Sequence, residues 1–186
     1  MNYEKLAEIL FPHITKTPDD YEKLYPKREL PEGAKVTRLG PSPTGFIHLG
    51  NLYGAFVDER LAHQSGGRFF LRIEDTDDKR YVEGAVEVII NSLRFFGINF
   101  DEGATMEGDI GDYGDYTQSH RGEIYRCFAK KLVAEGHAYP CFLTEEEIAE
   151  IHAKQEAEKA FTASGRSAET SRWKKSKRTL QQENPM

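Results

Sequence analysis

The residues with the clearest chemical potential lie in PSPTGFIHLGN, residues 41–51, which joins a strand candidate to a helix candidate. At the start of such a helix the first backbone N–H groups lack intrahelical partners and favour an anion. His48 can donate a hydrogen bond to a phosphate oxygen as charge develops there. Gly50 lets a ring or a phosphate come close to the backbone. A lone His-x-Gly pattern would instead predict a turn with a structural histidine.

A second group of candidate residues stands in LRIEDTD, residues 71–77. Here Glu74 follows a strand candidate, and Arg38 is the penultimate residue of the strand candidate before the first segment. A guanidinium fork suits a carboxylate, because its planar donors pair with both oxygens. The alternative interpretation is a solvated charge cluster, since four carboxylates and three basic side chains stand between residues 72 and 80.

The surrounding apolar pattern predicts the scaffold for these residues. Residues 34–39 and 68–73 are predicted strands, and Ser65-Gly66-Gly67 ends a helix predicted over residues 49–64. Strand, helix and strand in about forty residues predict a βαβ unit with parallel strands, whose carboxyl ends are the usual ligand site. The apolar residues at helical spacing on this helix are Leu49, Leu52, Tyr53, Phe56 and Leu61.

Further helices are predicted over residues 3–10, 82–96 and 121–135, and from a cap at Thr144 to about residue 160. On the helix over 82–96 the expected buried stripe is Val86, Ile89, Ile90, Leu93 and Phe96. The segments 15–33 and 101–114 are rich in acidic residues and in Pro or Gly, which predicts loops.

Composition indicates a soluble globular protein, with 38% hydrophobic and 30% charged residues. No apolar run approaches the ~20 residues of a membrane span, and no secretory signal stands at the amino terminus. Two cysteines fit a reducing compartment, so the cytoplasm is expected. The net charge of −6 argues against a generally basic nucleic-acid binder, while leaving room for local basic patches.

The last 26 residues, 161–186, differ from the rest of the chain. They carry six Lys/Arg and two Glu, which gives a net charge of +4. Residues 1–160 carry 19 basic and 29 acidic residues, which gives a net charge of −10. Two interpretations of this composition are a disordered tail and a basic extension that contacts nucleic-acid phosphates. Back-translation in a shifted reading frame permits a sequence with the apolar pattern that the actual tail lacks, so a frameshifted, disordered tail is predicted. Sequencing the encoding DNA tests this.

Taken together, PSPTGFIHLGN and LRIEDTD resemble the signatures of class I aminoacyl-tRNA synthetases, and TRLGPSPTGFIHLG resembles the glutamyl branch. The likeness extends through FGINFDEG, YTQSHRGEIY and EGHAYPCF, and so covers about residues 1–160. It implies an α/β fold: the first half of a Rossmann-like nucleotide-binding catalytic domain, then the start of an inserted α/β connective domain. The expected segments are an arm over 1–33, the catalytic half over 34–103, the inserted acceptor-binding part over 104–160, and the tail over 161–186.

The resemblance also implies roles for individual residues. Arg38 and Ser42 match positions that hold glutamate, and Glu74 matches the residue that receives its α-ammonium group. His48 is the implied catalytic residue. The ATP-binding positions are Thr44, His48, Gly50 and Asn51. The implied reaction joins glutamate to ATP, which brings Mg²⁺, and then to the 3′ end of tRNA, in a monomeric enzyme.

Some features depart from the family pattern. Leu39-Gly40 stands where Phe-Ala is usual, and Asn51 replaces the second His or Gly of the first signature. The Cys pair of zinc-binding relatives is missing, so no zinc is expected, and Cys127 is interpreted as a core residue. WKKSKR, at residues 173–178, comes too early for the later KMSKS-like loop of the family. The chain alone is therefore expected to be a truncated, inactive portion.

Three other interpretations stay open at this point. A paralogue that glutamylates a modified tRNA base usually carries zinc cysteines and lacks the arm. A glutaminyl enzyme shares the fold. A non-catalytic remnant would lack activity altogether. The presence or absence of the KMSKS-like loop, which is the second ATP-binding loop of the family, distinguishes an active enzyme from such a remnant.

Overall fold

A computed structural model describes residues 2–157, apart from the side chain of Asp78. The strands in this part are β1 Val36–Leu39, β2 Arg68–Leu71, β3 Glu102–Thr105 and β4 Gly108–Ile110. The helices are α1 Tyr3–Leu10, α2 Pro18–Leu24, α3 Leu49–Gln64, α4 Ala85–Phe95, α5 Gly122–Ala134 and α6 Glu145–Ala157. None of them is long and apolar enough to cross a membrane. The predicted tail over 161–186 lies outside the described residues.

The four strands form one sheet in the order β1-β2-β3-β4. β1 and β2 are parallel, with Arg38 opposite Phe70 and Leu39 opposite Leu71. α3 connects these two strands, so the predicted βαβ unit is confirmed. β3 is parallel to β2, whereas β4 runs antiparallel to β3.

The β3–β4 hairpin shows that the loop prediction for residues 101–114 is wrong. Its strands are short, and Gly and acidic residues have low strand propensity, so the local pattern gives little signal. β3 forms because its backbone pairs with β2, more than thirty residues earlier in the chain. That pairing is a tertiary contact, which the sequence of the segment does not reveal.

The core lies between one face of the sheet and the helices α3 and α4. Phe69 and Leu71 of the sheet pack with Ile89 and Leu93 of α4, all at 2% exposure or less. Ile90 is buried as expected, but Phe96 is 57% exposed, because α4 has already ended at the preceding residue.

The helix α3 has the predicted bounds but buries a different face. Ala55 and Ala62 are fully buried, whereas the large side chains at helical spacing are mostly exposed. Small residues let a helix approach a sheet closely, so the periodicity of large apolar residues is misleading here. The exposed ones are Leu49, Tyr53, Phe56 and Leu61.

The arm also contains a helix that the loop prediction for residues 15–33 missed. Thr17 precedes α2, its backbone N–H donates to Asp20 Oδ2 at 2.8 Å, and Pro18 occupies the first turn. This capping pattern was present in the sequence. The expected cap at Thr144 is confirmed, since Glu147 N–H donates to its Oγ1 at 3.2 Å.

The described chain divides into two compact units. Leu10–Lys131 forms one, and the described parts of Met1–Ile9 and Leu132–Met186 form the other. Every candidate site residue lies in the first unit. Cys127 lies there too and is buried, as expected, with Sγ donating to Lys16 O at 3.1 Å. The domain limits given above stay predictions.

Candidate active site

The two signature segments meet at the carboxyl ends of β1 and β2. The backbone N–H of Glu74 donates to Pro41 O at 2.9 Å, and that of Val82 donates to Pro43 O at 2.9 Å. The prolines stiffen the first segment, the bond from Glu74 fixes it to the second, and the bond from Val82 fixes it to the chain that follows. Local rigidity and neighbouring strand ends therefore bring the signatures together.

A third segment, YTQSHRGEIY, is held against the second. Ile73 N–H donates to Tyr116 O at 2.9 Å, and Ser119 donates to both carboxylate oxygens of Asp75, at 2.9 and 2.6 Å. Burial raises the pKa of the Asp75 carboxyl, but the Ser119 hydrogen bonds outweigh burial and hold the pKa below its ordinary value. Sequence reasoning did not single out Asp75, although it lies inside the LRIEDTD motif.

A cleft of about 300 Å³ opens beside the first signature. The structure places Ser42, Thr44, His48 and Asn51 in its lining, together with Gly40 and Arg80. Sequence reasoning had proposed the first four as ligand-binding residues. Arg38, Gly50 and Glu74 are not among the described residues that line this cleft.

His48 stands at the start of α3, with an extended backbone and an exposed side chain. Its backbone N–H donates to Asn51 Oδ1 at 3.3 Å, while Asn51 N–H donates to His48 O at 2.9 Å. Asn51 therefore caps the helix besides lining the cleft. A Cβ on Gly50 would lie 3.0 Å from His48 Nδ1, so the missing side chain leaves room for the imidazole over the first turn.

Arg38 and Glu74, which the sequence assigned to the same ligand, are in contact. Arg38 Nη1 lies 2.9 Å from Glu74 Oε1, and Arg72 Nη2 donates to the same oxygen at 3.1 Å. The Arg38 side chain is 41% exposed and that of Glu74 is 27% exposed, so a ligand in water can reach the pair. One carboxylate oxygen thus holds two guanidinium groups.

Arg80 is a cleft residue that sequence reasoning did not assign. Its Nε donates to Asp77 Oδ2 at 2.6 Å, and this bond holds the pKa of the Asp77 carboxyl below its ordinary value. The only signal in the sequence was its place in the charge cluster over residues 72–80, where a solvated role was the alternative. Arg80 and His48 give the cleft donors suited to an anion.

The chain is similar to known proteins over most of its length. A glutamate–tRNA ligase of Acetivibrio thermocellus is 66% identical over 163 residues, which are 87% of this chain and 30% of the ligase. The glutamate–tRNA synthetase structure from Elizabethkingia anophelis is similar with a TM-score of 0.60 and 40% identity, over 68% of this chain and 25% of that one. The structure of a glutamate tRNA ligase from Elizabethkingia meningosepticum, solved in complex with its amino acid, is similar with a TM-score of 0.58 and 41% identity. The match covers 67% of this chain and 24% of that one.

The chain thus spans about 30% of the length of the curated relatives it matches. The sheet and these neighbours confirm the expected α/β fold with a Rossmann-like catalytic domain. A family model, tRNA synthetases class I (E and Q), catalytic domain, matches residues 35–186. That range includes residues 161–186, and the frame change predicted there stays a prediction. The chain belongs to the class I tRNA synthetases of the E and Q type, within their catalytic domain.

Proposed function

We propose that this chain supplies the amino-terminal part of the active site of a glutamate–tRNA ligase. The observation that carries the proposal is the arrangement at residues 38–51. The Arg38–Glu74 pair and the anion-suited cleft lie at the same end of β1, and the chain from Gly40 to Ser42 joins them. An amino-acid subsite beside a phosphate subsite is what activation of a carboxylate by ATP requires.

In the amino-acid subsite, Arg38 and Ser42 hold glutamate and Glu74 accepts its α-ammonium group. The guanidinium fork pairs with a carboxylate, and a carboxylate at 27% exposure accepts well from an ammonium donor. Glu74 gives up its contact with Arg38 as the ligand enters. Each partner of the ion pair then faces the opposite charge on the ligand.

In the nucleotide subsite, the phosphates of ATP lie at the start of α3. The unpaired N–H groups there, with Thr44, His48 and Arg80, surround the transferred group with donors. No carboxylate lines the described part of the cleft, so a Mg²⁺ ion would be held by the phosphates of ATP and would neutralise part of their charge. Asn51 contributes by holding His48 in place.

The chemistry proceeds in two steps. An oxygen of the glutamate carboxylate attacks the α-phosphorus of ATP, a new O–P bond forms, and pyrophosphate leaves with the electrons of the broken bond. A 3′-terminal ribose hydroxyl of tRNA then attacks the carbonyl carbon of glutamyl-adenylate. An ester bond forms, the bond from that carbon to the phosphate oxygen breaks, AMP leaves with the electrons of that bond, and the hydroxyl proton passes to water. His48 donates a hydrogen bond to a phosphate oxygen on which negative charge develops in the first step. The rate enhancement therefore comes from positioning of the reactants and stabilisation of that charge. We propose the cytoplasm as the location and a monomer as the working form.

The test is a chimera in which residues 2–157 replace the corresponding segment of the Acetivibrio thermocellus ligase. We expect glutamate-dependent exchange between ATP and pyrophosphate within about tenfold of that ligase, a difference of about 1.4 kcal/mol in the barrier. Glutamine, which lacks the side-chain carboxylate, serves as the matched control substrate. A folded chimera without exchange would favour the non-catalytic remnant.

A further inference from the structure

Tyr25, in the arm, contacts both ends of residues 113–121, which we call the bridging stretch. Its hydroxyl donates to Gly114 O at 2.5 Å, and its ring stacks with that of Tyr113 at 6.2 Å between ring centres. The Arg121 guanidinium lies over the Tyr25 ring, 5.7 Å from its centre. The family model begins at residue 35, so this contact comes from outside the part of the chain that the model matches.

Arg121 closes the bridging stretch on itself. Its Nη1 donates to Tyr113 O at 3.3 Å and to Asp115 O at 2.8 Å. Both acceptors are neutral carbonyls, so the face of the Tyr25 ring adds the negative potential that a guanidinium group favours. Tyr25 therefore helps to keep Arg121 where it binds the two carbonyls.

Tyr25 is itself fixed by the arm and by α5. Its backbone N–H donates to Tyr21 O at 2.8 Å, and its side chain packs against a small core in which Tyr21 and Cys127 are buried. Cys127, on α5, also donates through Sγ to Lys16 O at 3.1 Å. A ring held in this way can limit the movement of the residues that it contacts.

The middle of the bridging stretch holds the second signature. Gln118 N–H donates to Ile73 O at 2.8 Å, and Ser119 donates to both carboxylate oxygens of Asp75. Glu74 lies between these two bound residues of the signature. A displacement of the bridging stretch would therefore move the residue that we propose to accept the ammonium group of glutamate.

We propose that Tyr25 is a positioning residue, which holds the bridging stretch from the arm and so keeps the second signature in the geometry that binds glutamate. The consequence for glutamate rests on the proposed function, whereas the holding of the signature does not. The nucleotide subsite is built from the first signature and the start of α3, so it should depend less on Tyr25.

Amide hydrogen exchange in the 186-residue chain tests the holding role. Tyr25→Leu removes the ring and the hydroxyl, so the bridging stretch should open locally. We expect the protection of three amides to fall about tenfold relative to that of the Arg72 amide. The Arg72 amide is the internal reference, because it donates to Leu39 O at 3.0 Å beside β1 and β2. The three amides join the bridging stretch to the second signature and belong to Ile73, Gln118 and Ser119.

Leu93→Ala is the matched control for a loss of stability alone. It truncates a fully buried side chain of α4 and leaves a cavity, so the protection of all four amides should fall together. The same uniform fall in Tyr25→Leu would overturn the holding role.

Tyr25→Phe keeps the ring and loses only the hydroxyl, so it provides the test if Tyr25→Leu does not fold. We expect the three amides to lose about threefold in protection relative to the Arg72 amide, the scale of one hydrogen bond. If their protection is unchanged relative to that amide, Tyr25 does not hold the stretch.

The consequence for glutamate is tested in the chimera. Tyr25→Leu should raise the glutamate concentration for half-saturation about tenfold and leave that for ATP within about twofold. A loss of stability alone would reduce the amount of active enzyme and change neither concentration. An unchanged glutamate concentration in an active Tyr25→Leu chimera would show that Tyr25 does not act on the amino-acid subsite.

Ser119→Ala tests whether the effect passes through the contact with Asp75. The double variant Tyr25→Leu/Ser119→Ala should exceed the effect of Ser119→Ala by less than about twofold, because both changes act on one contact. Effects that multiply would contradict this route. An unsubstituted chimera without exchange would overturn the proposed function and the consequence for glutamate, while the amide comparison would still decide the holding role.

Discussion

The cleft and the contact between the arm and the β-hairpin are both built from polar side chains, but they differ in the exposure of those side chains. In the cleft, His48, Thr44 and Ser42 are exposed and lie within a few residues of one another. In the arm contact, Arg28 and Glu102 are 74 residues apart, and their side chains are only 17% and 10% exposed. The comparison teaches that polar groups from distant parts of the chain can pair with each other and become buried, whereas His48, Thr44 and Ser42 stay exposed at the site where we propose that a ligand binds.

We define the arm clamp as Tyr25, Arg28, Glu102, Tyr113 and Tyr116. Arg28 Nη2 donates to Glu102 Oε2 at 2.7 Å, while a second contact joins Arg28 Nη1 to Oε1. Tyr116 OH donates to Oε2 at 2.6 Å. The Arg28 guanidinium lies 3.6 Å from the centre of the Tyr113 ring. Each charged group in the clamp therefore has a partner, and these contacts contribute to stability.

The pKa values in the clamp reflect this pairing. Burial raises the pKa of the Glu102 carboxyl, but hydrogen bonds from Arg28 and Tyr116 outweigh burial and hold it below its ordinary value. Burial, followed by the hydrogen bond to Glu102, raises the pKa of Tyr116. Both shifts favour the paired charge states of the folded chain near neutral pH.

The largest effect is expected from breaking the clamp. Glu102→Ala leaves Arg28 and the Tyr116 hydroxyl without their partner, and we expect a loss of about 3 kcal/mol in the free energy of unfolding. Urea unfolding of the 186-residue chain measures this. The control is Glu123→Ala, which breaks the exposed contact with Lys16 at side-chain exposures of 55% and 49%. Equal losses in the two variants would contradict the distinction drawn here.

The opposite behaviour is expected in the cleft. In the active chimera, His48→Ala should slow formation of glutamyl-adenylate by about 10²-fold, the scale of one oriented donor. The urea midpoint should stay unchanged, because the His48 side chain is exposed. Adenylate formation at a near-normal rate would show that His48 is a helix cap and not a catalytic residue.

Acid should weaken the arm clamp. The pKa of Glu102 is lowered on folding, so its contribution is fully present above the unfolded value of about 4.3 and is lost as pH falls through the folded value. We expect the urea midpoint of the chain to decline below about pH 4. The urea midpoint of Glu102→Gln should decline less steeply over the same pH range. Parallel plots of midpoint against pH for the two chains would show that Glu102 is not the source of the acid sensitivity.

The parts of the fold that sequence predicted are those defined within one segment. α3 has the predicted bounds, Leu49–Gln64, because Ser65-Gly66-Gly67 ends it locally, and β1 and β2 follow from short apolar runs. The β3–β4 hairpin was missed because its pairing partner lies elsewhere in the chain. α2 was missed for another reason, since its capping signal at Thr17 was present but outweighed by the surrounding Pro and acidic residues.

The same division holds for the candidate site. The signature predicted Ser42, Thr44, His48 and Asn51, and the structure gathers them in one cleft. What the sequence could not give was the side-chain contact between residues from different segments. The Arg38–Glu74 pair and the place of Arg80 both depend on the distance between the two strand ends.

The smallest effect is expected at Asn51, which belongs to both sides of the comparison. Its side chain lines the cleft and also accepts the His48 N–H at 3.3 Å. Asn51→Ala removes the cap, so we expect a loss of about 0.5–1 kcal/mol in the free energy of unfolding. We also expect the ATP concentration for half-saturation in the chimera to rise about threefold, because His48 is then held less firmly.

Asn51→Asp separates these two contributions. A carboxylate oxygen can still accept the His48 N–H, so the urea midpoint should match that of the unchanged chain. The added negative charge faces the proposed phosphate subsite, however, and should raise the ATP requirement more than Asn51→Ala does. If Asn51→Asp instead binds ATP as well as the unchanged chimera, the phosphates do not lie at this end of α3. The cleft would then be, like the arm clamp, a place where polar groups serve the fold.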